Sequence, residues 1–330
     1  KGIARWSKAK QVWEAVGDPV TGAMITQINC MAFDANGDLY VGGDFLHIGG
    51  VVGADYIAKY NVSVGTWDEL DNGVQASFAP LVFAIAISPE GVVFIGGKFD
   101  SAGGNTLCKN IAYYNGNNWA PLSTGLNNKV NTLKFAPDGR LLIGGTFTNA
   151  DGTNGDYICW WDGTTFRSFT ELGAPELNNW VHSIDINPNG TIIIGGNFTN
   201  AGGDPNADYV AAWRGNNWGS LMAGGLTSSA ISNMVNNILC KSNGDIYVAG
   251  DFDYAENLKV DRLVRSVNGA WQRVDINLSG LYEKWVNALA ESSDGSLYVG
   301  GAFSTLYGGV KAVSGEVSLN LNVLSGSANT

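Results

Sequence analysis

A chain of 330 residues with 45% hydrophobic side chains is long enough to bury a large core, and closed β-architectures of this length can form one domain. The formal net charge of −11 argues against nucleic acid, because phosphate binding requires lysine and arginine, and equally against anionic membranes. No apolar run approaches the length of a membrane span. We therefore expect neither a nucleic-acid partner nor membrane insertion.

A short glycine-containing segment recurs six times along the chain, at intervals of 48 to 54 residues. A fixed period in this range indicates an array of similar structural units. The six copies are LYVGGDF at 39–45, VFIGGKF at 93–99, LLIGGTF at 141–147, IIIGGNF at 192–198, IYVAGDF at 246–252 and LYVGGAF at 297–303.

Each repeat is predicted to form four short strands, which we name a to d. Strand a is an apolar run, and a tight turn such as NGD or PDG joins it to strand b, which is the glycine segment; glycine in that turn supplies the positive φ of a hairpin. Strand c has the pattern IAxY or IAxW, and helical periodicity of useful length is absent. Strand d carries a large aromatic residue: Trp67, Trp119, Phe166, Trp218 and Trp271 in the first five repeats.

Six such units predict an all-β fold, a six-bladed β-propeller with four-stranded antiparallel blades, as a single domain over residues 1–313. Residues 3–16 resemble strands c and d without their a and b, and we expect them to complete the last blade with 286–303, which removes exposed sheet edges. A competing arrangement takes the last two strands from 310–323. Residues 314–330 are then a strand-like tail or linker through which copies of the chain could associate.

The Gly-Gly pairs are predicted to be scaffold and not a phosphate-binding loop. A phosphate loop precedes a helix, whereas these glycines end a strand. They indicate a close backbone approach or a β-bulge. The recurring aromatic residues indicate packing between repeats, and the four cysteines are expected to be free thiols.

The pattern GGxF…AGG…IAxYNGxxWxxL resembles galactose-oxidase/kelch-like propeller repeats over residues 3–309. It is most similar to the divergent variety in large bacterial surface proteins, phage virion proteins and a fungal cell-polarity marker family. The resemblance implies the fold, a place in a larger protein assembly, and an extracellular, cell-surface or virion location. It implies no activity, because copper chemistry needs several His and Tyr ligands and the chain has only His47 and His182.

Strand order places the short a–b and c–d turns at one end of each sheet and the longer b–c and d–a connections at the other, which we call the long-loop end. Binding residues usually lie in loops on a rigid scaffold. Aromatic residues near carboxylates and amides suit carbohydrate binding; the alternative is that the two tryptophans only plug the channel mouth. The predicted ligand-binding residues, where the repeat is broken, are Trp180, Trp285, Tyr282, Glu283, His47 and Tyr254.

Two b–c loops, at 149–157 and 203–209, carry closely spaced oxygen ligands that calcium could use. The same residues are also good turn formers, and no other cofactor is predicted. The candidate metal ligands are Asp151, Asp156, Asp204 and Asp208. One strand-a position holds Asn29, Asn131, Asn236 and Asn287, with His182 in the fourth repeat. It is interpreted either as backbone capping or as a polar ring.

The sequence therefore predicts a non-enzymatic binding or structural propeller of a surface or virion assembly, such as a tail, spike or fibre. It would recognise a glycan or a protein through the long-loop end. A glycan-processing hydrolase or lyase with two facing carboxylates is the alternative, and a purely structural spacer is a third hypothesis.

Overall fold

A computed structural model describes the chain over residues 3–7, 9–10, 12–17, 24–152, 155–222, 226–227, 234–274, 277–279, 285–293, 295–302, 305–307 and 322–323. These residues form strands and turns, with short 3-10 helices at Ile48–Gly50, Ala150–Gly152, Phe169–Leu172 and Ala201–Gly203. The predicted all-β class is confirmed. Within the described ranges, none of the helices has the length and hydrophobicity to cross a bilayer.

Repeats 1 to 5 each form one four-stranded sheet in the predicted order a, b, c, d. Repeat 1 consists of Met24–Phe33, Leu39–Leu46, Ile57–Asn61 and Thr66–Asp68, and repeat 2 of Leu81–Ile87, Val93–Lys98, Ile111–Tyr114 and Trp119–Pro121. Repeat 3 consists of Val130–Phe135, Leu141–Gly145, Ile158–Trp161 and Phe166–Arg167, and repeat 4 of Val181–Ile186, Ile192–Gly196, Val210–Trp213 and Trp218–Ser220. Repeat 5 consists of Met234–Cys240, Ile246–Asp251, Leu263–Val267 and Ala270–Arg273.

Repeat 6 contributes strands a and b, Trp285–Glu291 and Leu297–Ala302. Strand b of this repeat pairs in parallel with Asn322–Val323, which lie in the competing segment 310–323, although a strand c would pair antiparallel. The N-terminal strands Ala4–Ser7 and Val12–Ala15 form a hairpin of their own. Shorter pairings join Val74–Gln75 to Ser101–Ala102, Leu226–Thr227 to Tyr254–Ala255 and Leu258–Lys259, and Asn277–Ser279 to Thr305–Tyr307.

The chain divides into two compact units, Lys1–Gly155 with Cys159–Ser168, and Asp156–Ile158 with Phe169–Thr330. In the first unit, hydrophobic clusters join consecutive repeats; one of them packs Tyr40 of repeat 1 with Val82 and Phe99 of repeat 2. In the second unit, a cluster packs Ile193 of repeat 4 with Val235 and Val248 of repeat 5. Burial between neighbouring sheets, and not within one sheet, thus forms the core.

A β-bulge in strand a recurs in all six repeats and explains the second glycine of each pair. The register shifts by one residue between Ile28 and Cys30 in repeat 1, and at the same place in every other repeat. A Cβ on the second glycine would collide with the backbone carbonyl oxygen just before the bulge. The pairs that show this collision are Gly43 with Gln27, Gly97 with Leu81, Gly145 with Lys129, Gly196 with Trp180 and Gly250 with Met234.

In repeats 1, 2 and 4, the first glycine of the pair permits a close approach of the next repeat. A Cβ on Gly42 would lie 2.6 Å from Cγ1 of Val82, which belongs to strand a of repeat 2. Gly195 meets Val235 in the same way. Both predicted roles, a bulge and a close approach, are therefore present, one for each glycine.

The large aromatic residues of strand d are scaffold. Trp67, Trp119 and Trp218 are at most 8% exposed. The Trp119 indole Nε1 donates to the carbonyl oxygen of Leu70 at 2.7 Å, which ties repeat 2 to the end of repeat 1. All four cysteines are free thiols, as predicted, and burial raises the pKa of Cys108 to about 11.

Gly97→Ala tests the bulge. Its φ is ordinary, so the cost comes from the new methyl group against the Leu81 carbonyl, and we expect the free energy of unfolding to fall by about 2–3 kcal/mol. Gly219→Ala is the matched control, because a Cβ there has its nearest neighbour at 3.7 Å and should change stability by less than about 0.5 kcal/mol. Equal urea-unfolding midpoints for the two variants would contradict the explanation.

Candidate functional site

The extra residue of each strand-a bulge lies at the long-loop end, and in two repeats it links neighbouring sheets. The Asn29 Nδ2 donates to the Val82 carbonyl of repeat 2 at 3.0 Å. The Asn236 Nδ2 donates to the Val286 carbonyl of repeat 6 at 3.3 Å and to the Asn287 Oδ1 at 3.0 Å. Asn29 and Asn236 thus bond to backbone carbonyls, as the capping interpretation expects, and Asn236 also contacts Asn287, as a polar ring would.

Repeat 4 departs from this pattern because its bulge residue is His182. The His182 Nε2 lies 2.5 Å from the Oδ1 of Asn197, the residue that follows strand b of the same repeat. Because an amide oxygen only accepts, this hydrogen bond requires a form of His182 that carries a proton on Nε2. The imidazole is thus oriented by its own repeat through a side chain that follows the glycine pair.

Trp180 stands next to this histidine, immediately before strand a. The residue is 45% exposed, and its ring meets the His182 ring edge-on, with the centroids 6.3 Å apart at 88°. The Trp180 backbone is fixed from both sides: its N–H donates to the Asn179 Oδ1 at 2.9 Å, and its carbonyl accepts from the Asn197 N–H at 2.9 Å. An exposed aromatic residue is therefore held on a rigid sheet end.

Amide and hydroxyl groups lie in the same two segments of the chain as this cluster. The Asn178 Nδ2 donates to the Thr199 Oγ1 at 3.0 Å, and the Thr199 N–H donates back to the Asn178 Oδ1 at 2.9 Å. The segments 177–182 and 195–200 contain no Asp, Glu, Lys or Arg. The Trp180 cluster, by which we mean Trp180, His182 and Asn197, is thus aromatic, polar and without formal charge in its own segments.

The b–c loops of repeats 1 and 4 share one conformation. His47 and Asn200 both adopt a left-handed φ, near 53° and 52°, and each donates its backbone N–H to a carboxylate at 2.7 Å, Asp55 and Asp208 respectively. The His47 Nδ1 lies 3.1 Å from the same Asp55 oxygen. The backbone N–H and the Nδ1 of His47, a predicted ligand-binding residue, therefore both contact Asp55 of the same loop.

The predicted metal ligands of repeat 4 bind backbone amides. The Asp204 carboxylate accepts from the Ser220 N–H at 2.8 Å and from the Asn206 N–H at 2.9 Å. These bonds, that of Ser220 first, hold the pKa of Asp204 below its usual value. Among the described residues, no three His, Cys, Asp or Glu side chains gather as a metal site would require. Calcium stays a prediction.

The other predicted site residues are dispersed. Tyr254 lies in a short strand opposite Thr227 and Lys259, and Asp156 follows the loop of repeat 3, where its carbonyl accepts from Ile158. Trp285 begins strand a of repeat 6. Tyr282 and Glu283 lie outside the described residues, and so do the side chains of Trp285 and Asp151, so their predicted roles stay predictions.

Sequence reasoning missed Phe78, in the d–a connection before repeat 2. Its side chain is 79% exposed, and the Lys98 Nζ lies 5.3 Å from the centre of its ring. The Asp100 carboxylate fixes the loop by accepting from both the N–H and the hydroxyl of Ser77, and these bonds lower the pKa of Asp100. The repeat pattern gives no signal for Phe78, because it lies in a connection whose sequence is not repeated.

Comparisons with known proteins agree on the fold. The family model of the Rax2 C-terminal β-propeller domain matches residues 77–234. A chain of the mitotic checkpoint complex is similar, with a TM-score of 0.54 and 15% identity over 89% of this chain and 77% of that one. The chain has a β-propeller fold.

Two further propellers have similar structures. A streptogramin B lyase has a TM-score of 0.53 and 12% identity over 90% of this chain and 82% of its own. YCF48, solved with a D1 peptide bound, has a TM-score of 0.50 and 13% identity over 88% of this chain and 82% of its own. No curated protein matches this sequence. At such identities the similarity concerns the fold alone.

Asp204→Ala tests whether this carboxylate stabilises the loop. Two backbone amides lose their acceptor, so we expect a loss of about 1–2 kcal/mol at pH 7. Because the folded-state pKa is lowered, the stabilisation is present above the unfolded value of about 3.9 and disappears as the pH falls through the folded value. Urea unfolding at pH 7 and pH 3 should therefore show a large and then a small difference from the unsubstituted protein.

Glu90→Ala is the matched control, since this turn carboxylate is exposed and should be neutral at both pH values. A difference for Asp204→Ala that stays constant with pH would contradict the hydrogen-bond explanation. A melting temperature that rises with millimolar calcium, and does so only when Asp204 is present, would instead support the metal prediction.

Proposed function

We propose that this chain is a non-enzymatic binding propeller within a larger surface or virion assembly, such as a tail, spike or fibre. It engages a glycan or a protein partner through the long-loop end of its sheets, outside the cell or on a virion. The observation that carries the proposal is the Trp180 cluster, which presents an exposed aromatic residue on a backbone fixed by the bulge. Rigid presentation reduces the entropy lost on binding.

The fold gives general support to a binding role. Propellers use a stable scaffold of repeated sheets to present loops, and the similar YCF48 structure contains a bound peptide. The similar lyase shows that a propeller can also hold an active site. Among the described residues of the Trp180 cluster, however, the side chains are an indole, an imidazole and an amide, which lack the paired carboxylates of glycan hydrolysis.

We further propose that the fold has six blades and that the N-terminal hairpin completes the last one. Ile3 and Val16 pack on the core of repeat 1, and Gly17 lies against the Trp67 indole. The same arrangement joins repeats 1 and 2: Leu70, which follows strand d of repeat 1, contacts the indole of Trp119 in repeat 2. The hairpin therefore lies on repeat 1 as strands c and d of a preceding blade would.

Strand a of repeat 1 supports the same closure. Met31 and Phe33 are 57% and 67% exposed. The counterpart of Phe33 in repeat 3, Phe135, instead packs edge-on against Phe94 of the preceding repeat, with ring centroids 5.4 Å apart. A preceding blade in the ring would cover Met31 and Phe33 in the same way.

Deletion of residues 1–16 tests the closure. Ile3 and Val16 would no longer cover repeat 1, so we expect the free energy of unfolding to fall by about 2–4 kcal/mol. Val12→Ala, at a residue that is 47% exposed in the same hairpin, should leave the unfolding transition in place. A cooperative unfolding transition that does not shift after the deletion would contradict the proposal that the hairpin completes the last blade.

Trp180→Ala tests the proposed binding end. We expect binding to printed glycans and to immobilised cell-surface proteins to fall at least tenfold, because the exposed anchor is lost. Val64→Ala is the matched control: this residue is 69% exposed but lies in the c–d turn, at the other end of its sheet. Mass spectrometry of the same glycans monitors cleavage.

Equal binding by both variants would place the site elsewhere. Cleaved glycan products formed by the unsubstituted chain would overturn the non-enzymatic proposal and favour the hydrolase or lyase alternative.

A further inference from the structure

We infer that the Trp180 cluster is a subsite for a neutral pyranose sugar, with Trp180 as the stacking platform and His182 and Asn197 as the groups that bind its hydroxyls. The inference rests on the proposed function and specifies its ligand. Three features of the second compact unit carry it: the departure of His182 from the repeat, the half-exposed indole, and the absence of formal charge in the two segments.

The first feature is that the bulge side chain of repeat 4 has a different partner from those of repeats 1 and 5. Asn29 and Asn236 donate to carbonyls of the following repeat, at 3.0 Å and 3.3 Å. His182 is instead paired with Asn197 in its own sheet, at 2.5 Å. In repeat 4 the bulge residue is thus paired with a side chain of its own sheet, beside an exposed aromatic residue.

The second feature is the position of the indole. Trp180 is 45% exposed, and its ring contacts the His182 ring edge-on. Two backbone hydrogen bonds hold the Trp180 main chain in place. Its carbonyl also lies so close to Gly196 that a Cβ there would collide with it. Such a ring offers a flat apolar surface with a polar edge, which suits the apolar face of a pyranose.

The third feature is the chemistry of the polar groups. The Asn197 amide and the His182 imidazole are the polar side chains specific to this cluster. Asn178, Asn179 and Thr199 instead bond to one another and to the backbone, as Asn127, Asn128 and Thr148 do in repeat 3. An amide and an imidazole both donate and accept, which matches the hydroxyls of a sugar. A carboxylate or phosphate ligand would gain no cationic partner from segments 177–182 and 195–200, which contain no Lys or Arg.

Phe78 provides a contrast within the same chain. It is 79% exposed, so it projects from the surface instead of forming a half-packed platform. Its ring has no polar edge, and its neighbours Lys98 and Asp100 are charged. Phe78→Ala is therefore a matched control for the loss of an exposed aromatic side chain.

His182→Asn is the most informative variant, because it gives repeat 4 the residue found at the same position in repeats 1, 3, 5 and 6. If His182 were only structural, this change would be neutral or favourable. If it binds sugar, the melting temperature should stay within a few degrees while binding falls at least tenfold. Trp180→Met copies Met234 of repeat 5. It removes the aromatic platform while His182 stays in place.

The probes are an array of neutral and acidic glycans, followed by titration of the intact chain with methyl glycosides of glucose, galactose, mannose and N-acetylglucosamine, monitored by nuclear magnetic resonance. We expect selection of neutral glycans on the array. We also expect at least tenfold weaker binding for His182→Asn and Trp180→Met, and unchanged binding for Phe78→Ala.

The outcomes separate this inference from the proposed function. Binding confined to acidic glycans, or neutral glycan binding that both variants leave intact, overturns the sugar subsite but not a glycan-binding role. Protein binding that depends on Trp180, without any glycan binding, overturns the subsite and retains the proposed function. If His182→Asn and Trp180→Met change neither glycan binding nor protein binding, both the sugar subsite and the proposed binding end are wrong.

Discussion

The contact between each glycine pair and the strand-a bulge is the interaction on which the rest of the structure depends. One extra residue in strand a pushes a backbone carbonyl towards strand b, and only glycine leaves room for it. The adjacent glycine lets the valine of the next repeat approach, as Gly42 does for Val82. One local irregularity therefore sets both the shape of a sheet and its distance from the next one.

The same bulge gives each repeat one strand-a residue that the strand register skips. In repeats 1 and 5, this residue is an asparagine that joins neighbouring sheets. In repeat 4, it is His182, which bonds to Asn197 and meets the ring of the exposed Trp180 edge-on. A regular scaffold can thus gain a recognition site through a single break in its pattern, without a special loop.

The sequence predicted the period, the four strands of each repeat and the scaffold role of the glycines, because these features recur and report local backbone needs. It did not predict that Tyr56 and Tyr209 adopt a left-handed φ of 64°, since tyrosine has no preference for that region. The surrounding hydrogen bonds impose it: the Tyr56 N–H donates to Phe45, and its carbonyl accepts from Gly43, both at 2.9 Å. Such strain persists where the neighbouring structure determines the conformation.

The site was predictable only in part for a similar reason. Trp180 stood out because it broke the repeat, but the pairing of His182 with Asn197 joins residues 15 positions apart and depends on the bulge register. Phe78 gave no signal, since it lies in a connection without repeats, next to Ser77, whose N–H donates to Asp100, 23 positions along the chain. Contacts of this kind are set by tertiary geometry, which composition and period do not encode.

Hydrogen–deuterium exchange of the intact chain tests the central claim most directly. The amides of Gly43, Gly97, Gly196 and Gly250 each donate to the residue before strand c of their own repeat, at 2.9 to 3.1 Å. If the bulge and glycine pair hold each sheet together, these four amides should be among the slowest to exchange, far slower than the amide of the exposed turn residue Gly116. Exchange of the four glycine amides as fast as that of the loops would contradict the account.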